Sequence, residues 1–175
     1  MSGFCVSFGI AELCGVYLIF VAGWIVVLIG VLSIAAAAAY AGGPYPLGYY
    51  GLGDLFVFVF FGLVAVCGTY YVQVGGINSS VLWASIPMGL LITAILVVNN
   101  LRDIDTDEGA GKKTLAVRLG VTGTRLEYSF CIFGACVVPL CMWIVGLETA
   151  CISLVLFDFT FGFVIVVKIG AARGR

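Results

Sequence analysis

The chain has no histidine, four prolines and, in 175 residues, only eight basic and nine acidic side chains. Without histidine a common zinc ligand is missing. The seven cysteines (Cys5, Cys14, Cys67, Cys131, Cys136, Cys141 and Cys151) all fall in apolar segments, with no C-x-x-C spacing. That pattern argues against a zinc site and for small side chains packed between helices. The few basic residues form no basic face, which argues against nucleic-acid binding. No positively charged stretch precedes the first apolar run, and Glu12 interrupts that run, so no cleavable signal peptide is expected.

What fills the chain instead is hydrocarbon. Hydrophobic residues make up 63% and charged residues 10%, with a mean hydropathy of +1.22. A soluble domain is about half apolar and a quarter charged. The apolar runs are continuous rather than alternating, so the fold class is all-α: a polytopic transmembrane helix bundle, not a barrel. Six spans are expected: Phe4–Val21, Trp24–Ala41, Leu55–Val74, Val81–Val98, Tyr128–Val145 and Thr149–Ile169. Gly23-Trp24, Gly42-Gly43-Pro44 and Gly75-Gly76 with Asn78 punctuate them. The run Ala35–Ala39 and the 24 glycines suit close helix packing. One domain, residues 1–175, is expected.

Gly23, Gly75–Ser80 and Gly146–Glu148 carry no Lys or Arg. Asn99–Leu126 carries Arg102, Lys112, Lys113, Arg118 and Arg125, and the tail carries Lys168, Arg173 and Arg175. The positive-inside rule puts both basic segments in the cytoplasm. Six spans then place both termini and the Gly42–Asp54 loop there too, in a protein of the inner (plasma) membrane.

Asn99–Gly120, reading NNLRDIDTDEGAGKKTLAVRLG, is the most polar part of the chain. It holds Arg102, Asp103, Asp105, Asp107, Glu108, Lys112, Lys113 and Arg118. If the fourth span continues through it, Asp103 and Asp107 share a helical face. Two like charges side by side call for a cation between them. Hard oxygen ligands on an open site suit Mg²⁺, which is commonly shared with substrate phosphates. Arg102, Lys112 and Lys113 would contact phosphate oxygens. Gly109 and Gly111 would let the backbone turn back over such a ligand, and the amides of Asn99 and Asn100 could orient it. A merely solvated loop explains the same charges. An EF-hand does not: its glycine position is Glu108 and its twelfth position is Thr114.

The same stretch resembles the second aspartate-rich motif of the UbiA superfamily of membrane prenyltransferases. The form N-N-x-R-D-x-x-x-D followed by G-K-x-T-L-A-x-R-L-G is most similar to the 1,4-dihydroxy-2-naphthoate polyprenyltransferase branch. Gly42–Gly62, GGPYPLGYYGLGDLFVFVFFG, followed by Thr69, Tyr70, Tyr71 and Gln73, is similar to the segment entering that family's fifth helix. The resemblance implies Mg²⁺-dependent transfer of a polyprenyl group from its diphosphate to 1,4-dihydroxy-2-naphthoate, with decarboxylation to a demethylmenaquinone. By the match, Asp103 and Asp107 are the catalytic, metal-holding carboxylates. Asn99, Arg102 and Lys112 bind diphosphate. Tyr45, Tyr49, Asp54 and Asn100 are candidates for the acceptor pocket. The implied partners are the polyprenyl diphosphate, the naphthoate, membrane lipid and a missing N-terminal portion.

The family's first motif, N-D-x-x-D-x-x-x-D, is absent: the aspartates are Asp54, Asp103, Asp105, Asp107 and Asp158, and no N-D pair exists. The family has nine helices. The expectation is therefore a fragment lacking two N-terminal helices and at least one C-terminal helix, holding half a metal site and inactive alone.

Other readings stay open. Asp54 is either an N-cap or a group at the mouth of the cavity. Tyr45, Tyr49 and Tyr50 line an acceptor pocket or sit at the membrane interface. Glu12 and Asp158 lie in apolar runs with no evident partner. Tyr70, Tyr71 and Gln73 serve the cavity or packing. For the whole chain, the alternatives are a related prenyltransferase with another aromatic acceptor, a small transporter or channel subunit, and a remnant that binds isoprenoid diphosphate without turnover. Charge gathered at one face rather than at the bilayer midplane favours lipid-substrate chemistry over transport.

Overall fold

The computed structural model describes residues 2–42 and 46–147. Helix α1 (Ser2–Ala22) and helix α2 (Trp24–Ala41) are separated by Gly23 alone. A short 3₁₀ turn, Leu47–Tyr50, leads into α3 (Gly53–Val74). Helix α4 (Ser79–Arg102) returns to the same end, a short α5 (Ile104–Gly109) caps it, and α6 (Leu115–Ile144) crosses again. Helices α2, α3, α4 and α6 are each long and apolar enough to span a bilayer. The protein is an all-helical integral membrane protein. The expected span Thr149–Ile169 lies outside the described residues, as do Asp158 and the basic tail.

Lipid explains the outer surface. No residue of α2 is buried, and Phe20 and Trp24 are 85% and 70% exposed. The core lies between α4 and α6, where Ala94, Val97, Tyr128 and Cys131 pack together, flanked by Leu90, Val98 and Ile132. A second cluster, Leu101, Ile104 and Ala116, ties the end of α4 and α5 to the start of α6.

Helices α3 and α4 cross on glycine. A Cβ on Gly62 would lie 2.6 Å from the Gly89 Cα, and one on Gly89 would lie 2.8 Å from the Phe58 ring. Any larger residue would force the helices apart. Around Gly62 the helix widens to a π turn, Phe58–Val64, a local insertion common at functional sites. Ser85 and Thr93, buried beside this crossing, satisfy their hydroxyls on the Leu82 and Gly89 carbonyls at 2.7 and 2.8 Å.

Two sequence expectations are corrected. The fifth span starts at Leu115, not Tyr128, because Thr114 caps the helix by accepting the Val117 N–H at 3.4 Å. The helix bends at Gly120 (φ 66°, ψ −179°), where buried Thr124 donates its hydroxyl to the Gly120 carbonyl at 2.8 Å. The charged segment is consequently mostly helical. Asp54 is not an N-cap: Leu52 holds that position, and Asp54 is buried in the first turn of α3.

Candidate functional site

The two stretches singled out in the sequence meet at one end of the bundle. Asp103 closes α4 with φ −97° and ψ 10°, so the helix does not run on smoothly to Asp107. Asp103 still joins the two helices: its N–H donates to the Asn99 carbonyl at 3.1 Å, and its own carbonyl accepts the Asp107 N–H at 2.8 Å. Arg102 grips Asp103 with both arms, Nε to Oδ1 at 2.7 Å and Nη2 to Oδ2 at 2.9 Å. This fork is the strong bidentate geometry of Arg with carboxylate. It holds the half-exposed Asp103 carboxyl below the usual carboxylate range.

Asp107 is treated differently. It is buried, and it pairs with Lys112 Nζ at 2.7 Å. The backbone builds this contact. At the end of α5 the Gly111 N–H bonds the Glu108 carbonyl at 3.0 Å, and the Lys112 N–H bonds the Asp107 carbonyl at 2.9 Å. These two bonds form a Schellman reversal, which needs a left-handed residue, and Gly111 supplies it at φ 72°. The reversal folds Lys112 back over Asp107. The carboxylate holds the Lys112 ammonium charged, above its ordinary range.

The first stretch docks beside this turn. The Lys113 N–H donates to the Tyr49 carbonyl at 2.7 Å. Arg118, on the first turn of α6, donates from Nη2 to the Tyr50 carbonyl at 2.9 Å and from Nε to the Lys113 carbonyl at 3.1 Å. Lys112 Nζ then sits 5.1 Å from the centre of the Tyr49 ring, within cation–π range. Tyr49 and Lys112, far apart in sequence, are thus neighbours.

Beneath them lies a second group of polar side chains. Asp54 is 7% exposed, and its Oδ1 has no hydrogen-bond partner among the described residues. Tyr40, on α2, lies against the start of α3: a Cβ on Gly53 would sit 3.3 Å from its hydroxyl. A groove of about 500 Å³ between α2 and α3 ends at Tyr40 and is walled by Ser33, Ala36, Phe56 and Phe60.

Most of the expected site residues therefore share one end of the molecule: Asn99, Asn100, Arg102, Asp103, Asp107, Lys112, Tyr49 and Asp54. Tyr45 lies outside the described residues. Tyr70 belongs elsewhere: its hydroxyl accepts from Asn78 Nδ2 at 2.9 Å at the opposite end of α3, which is a packing role. Sequence reasoning missed three residues here. Arg118 stood in the matched T-L-A-x-R-L-G run without an assigned role. Tyr40 was hidden at the end of an apolar span. Glu127 stood one residue before the expected start of a span, where a lone acid is itself a signal.

The donor set bears on Mg²⁺. Among the described residues no group of three or more Asp, Glu, Cys or His is gathered for a metal. Mg²⁺ does not require one, since it keeps several waters and takes one or two carboxylates plus substrate phosphates. Asp103, half-exposed, and Asp107, buried against Lys112, are four residues apart and offer two carboxylates for that share.

Comparison with known proteins gives the chain its relatives. The chain is similar to proteins named 1,4-dihydroxy-2-naphthoate octaprenyltransferase. The one from Haemophilus influenzae is 52% identical over 100 residues, covering 57% of this chain and 32% of that protein. The one from Bacillus subtilis is 38% identical over 143 residues, covering 81% and 44%. The one from Escherichia coli is 44% identical over 110 residues, covering 63% and 36%. The chain thus spans less than half the length of these relatives. No solved structure matches it. The UbiA prenyltransferase family matches residues 3–172, nearly the whole sequence, and the chain belongs to that family.

Proposed function

We propose that this chain carries the diphosphate-binding half of a membrane prenyltransferase of the menaquinone pathway. The observation that carries the reading is the docking of the Tyr49 turn against the Asp107–Lys112 pair. It brings two separate matched stretches into one site. The names of the relatives support 1,4-dihydroxy-2-naphthoate as acceptor and a polyprenyl diphosphate as donor.

Asp103 and Asp107 would hold Mg²⁺, which when bound neutralises diphosphate charge and makes it a better leaving group. Arg102 and Lys112 are already charged and already aimed at those carboxylates, so phosphate oxygens can take up their remaining donors. Asn99 and Asn100 flank the same end of α4. The allylic C–O bond breaks with its electron pair going to diphosphate, whose charge the basic side chains stabilise. A ring carbon of the acceptor forms the new C–C bond to the allylic cation. Loss of the carboxylate as carbon dioxide returns an electron pair to the ring and restores aromaticity. The apolar helix surfaces beside the site suit the isoprenoid tail. Tyr45, Tyr49, Asp54 and Asn100 are proposed for the acceptor side. The charged end is proposed to face the cytoplasm from a single domain in the plasma membrane.

The sequence contains no N-D-x-x-D-x-x-x-D, so we propose that these residues bind substrate without turning it over alone. The test is equilibrium binding of farnesyl thiodiphosphate to the purified chain in nanodiscs, with and without Mg²⁺. Mg²⁺-dependent binding that Asp103→Asn plus Asp107→Asn abolishes supports the reading. Binding indifferent to both would remove it. Robust prenyl transfer by the chain alone would overturn the claim that it is only half a site.

A further inference from the structure

Asp54 is a buried acid at the site's end of the bundle that has no part in holding diphosphate and whose chemistry on the acceptor side is still to be named. Its side chain is 7% exposed and its Oδ1 meets no donor among the described residues. A buried acceptor without a donor is costly and is retained where something supplies the missing hydrogen bond. Its surroundings come from two other helices. Tyr40 of α2 lies against the same first turn. Glu127 and Cys131, on one face of α6, are close enough to feel the Asp54 charge. Tyr40 itself lies within electrostatic reach of both Asp54 and Lys112. None of these neighbours donates a hydrogen bond to Oδ1. Beside Tyr40 opens the groove of about 500 Å³ with aromatic walls at Phe56 and Phe60.

We propose that Asp54 is a binding residue for a ring hydroxyl of the aromatic acceptor, its Oδ1 accepting the hydroxyl hydrogen. The chemistry matches from end to end. A dihydroxylated aromatic acid has an apolar ring for the groove and a hydroxyl donor for Asp54. Its anionic end would pair with Lys112, which lies within electrostatic reach of Tyr40. Glu127 disfavours the reverse orientation, because a substrate carboxylate placed at Asp54 would meet two acids. The inference rests on the acceptor named under the proposed function, and it adds the group that selects hydroxylated over plain aromatic acids. Sites built to bond a substrate hydroxyl discriminate strongly against analogues that lack it.

The experiment compares binding of 1,4-dihydroxy-2-naphthoate and 2-naphthoate to the chain in nanodiscs, under anaerobic conditions, with farnesyl thiodiphosphate binding measured in parallel. The original chain should hold the dihydroxy acid about tenfold more tightly, as expected for a hydrogen bond to a charged acceptor. Asp54→Leu should erase that preference, Asp54→Asn should reduce it, and both should leave thiodiphosphate binding intact, which shows that the bundle is folded. Glu127→Gln should keep the hydroxyl preference. Undiminished preference in Asp54→Leu overturns this inference and leaves the diphosphate reading standing. Equal binding of the two acids by the original chain overturns it as well. Failure of the original chain to bind thiodiphosphate and both acids overturns both.

Discussion

Lys112 pairs with Asp107 at 2.7 Å across the same reversal that puts its own N–H on the Asp107 carbonyl at 2.9 Å. One short turn therefore sets both the backbone and the ion pair. The salt bridge is local and preformed, so the side chains lose little freedom in making it.

That makes Gly111 the hinge of the site. Its φ of 72° is a left-handed conformation, and a Cβ there would meet nothing within 4 Å, so backbone energy alone decides a substitution. Gly111→Ala should cost about 1–2 kcal/mol and weaken Mg²⁺-dependent thiodiphosphate binding, with Gly111→Asn recovering part of both. Thermal unfolding and binding of the two variants check this; an alanine variant identical to the parent would contradict it.

Arg118 should matter more than its exposure suggests. Its two hydrogen bonds tie the Tyr50 and Lys113 carbonyls together. Arg118→Ala should lower stability by about 1 kcal/mol and let the Tyr49 turn separate from Lys112. Arg118→Lys should repair little, since an ammonium lacks the planar fork that spans two carbonyls. The readout is quenching of a fluorophore on the 47–50 turn by one on α5, which should fall in both variants.

The crossing of α3 and α4 has no room. With the Gly89 Cα 2.6 Å from a Cβ on Gly62, Gly62→Ala should destabilise the bundle by about 1–3 kcal/mol, while Gly76→Ala, which meets nothing within 4 Å, should be nearly neutral. Thermal midpoints in one detergent compare the two.

Acid and base should act on different residues. The Asp103 carboxyl lies below its ordinary 3.8 in the folded protein. Its ion-pair stabilisation is complete above that value and is lost as pH falls through the folded one. Lys112 lies above its ordinary 10.5, so its contribution is complete below that value and is lost as pH rises through the folded one. Stability from both pairs should be flat from about pH 5 to 9. The difference in thermal midpoint between parent and Asp103→Asn should vanish on the acid side alone, because its Arg102 partner stays charged, and that for Lys112→Gln should vanish on the alkaline side.

The spans and the grouping of polar residues at one end were legible because hydropathy and charge act locally along the chain. Asp103, Asp107 and Lys112 could be picked out by spacing, since they lie within ten residues of one another along the chain. The start of α6 at Leu115 was obscured because Arg118, Arg125 and Glu127 dilute its apolar pattern, while Thr114 sets the boundary through a single cap. Tyr40 and Glu127 could not be read as companions of Asp54, because no periodicity links residues on three different helices. Nor could spacing reveal that Arg118 reaches back 68 residues to Tyr50.

That reach has a consequence for biogenesis. A chain enters the membrane from its N-terminus, at about 5–20 residues per second. The Leu47–Tyr50 turn is therefore made seconds before the residue that fastens it. Helices α3 and α4 must be threaded before Arg118 emerges, and only then can the Leu47–Tyr50 turn find its seat. The last local event in building this pocket is a latch closing between two segments already at the bilayer surface.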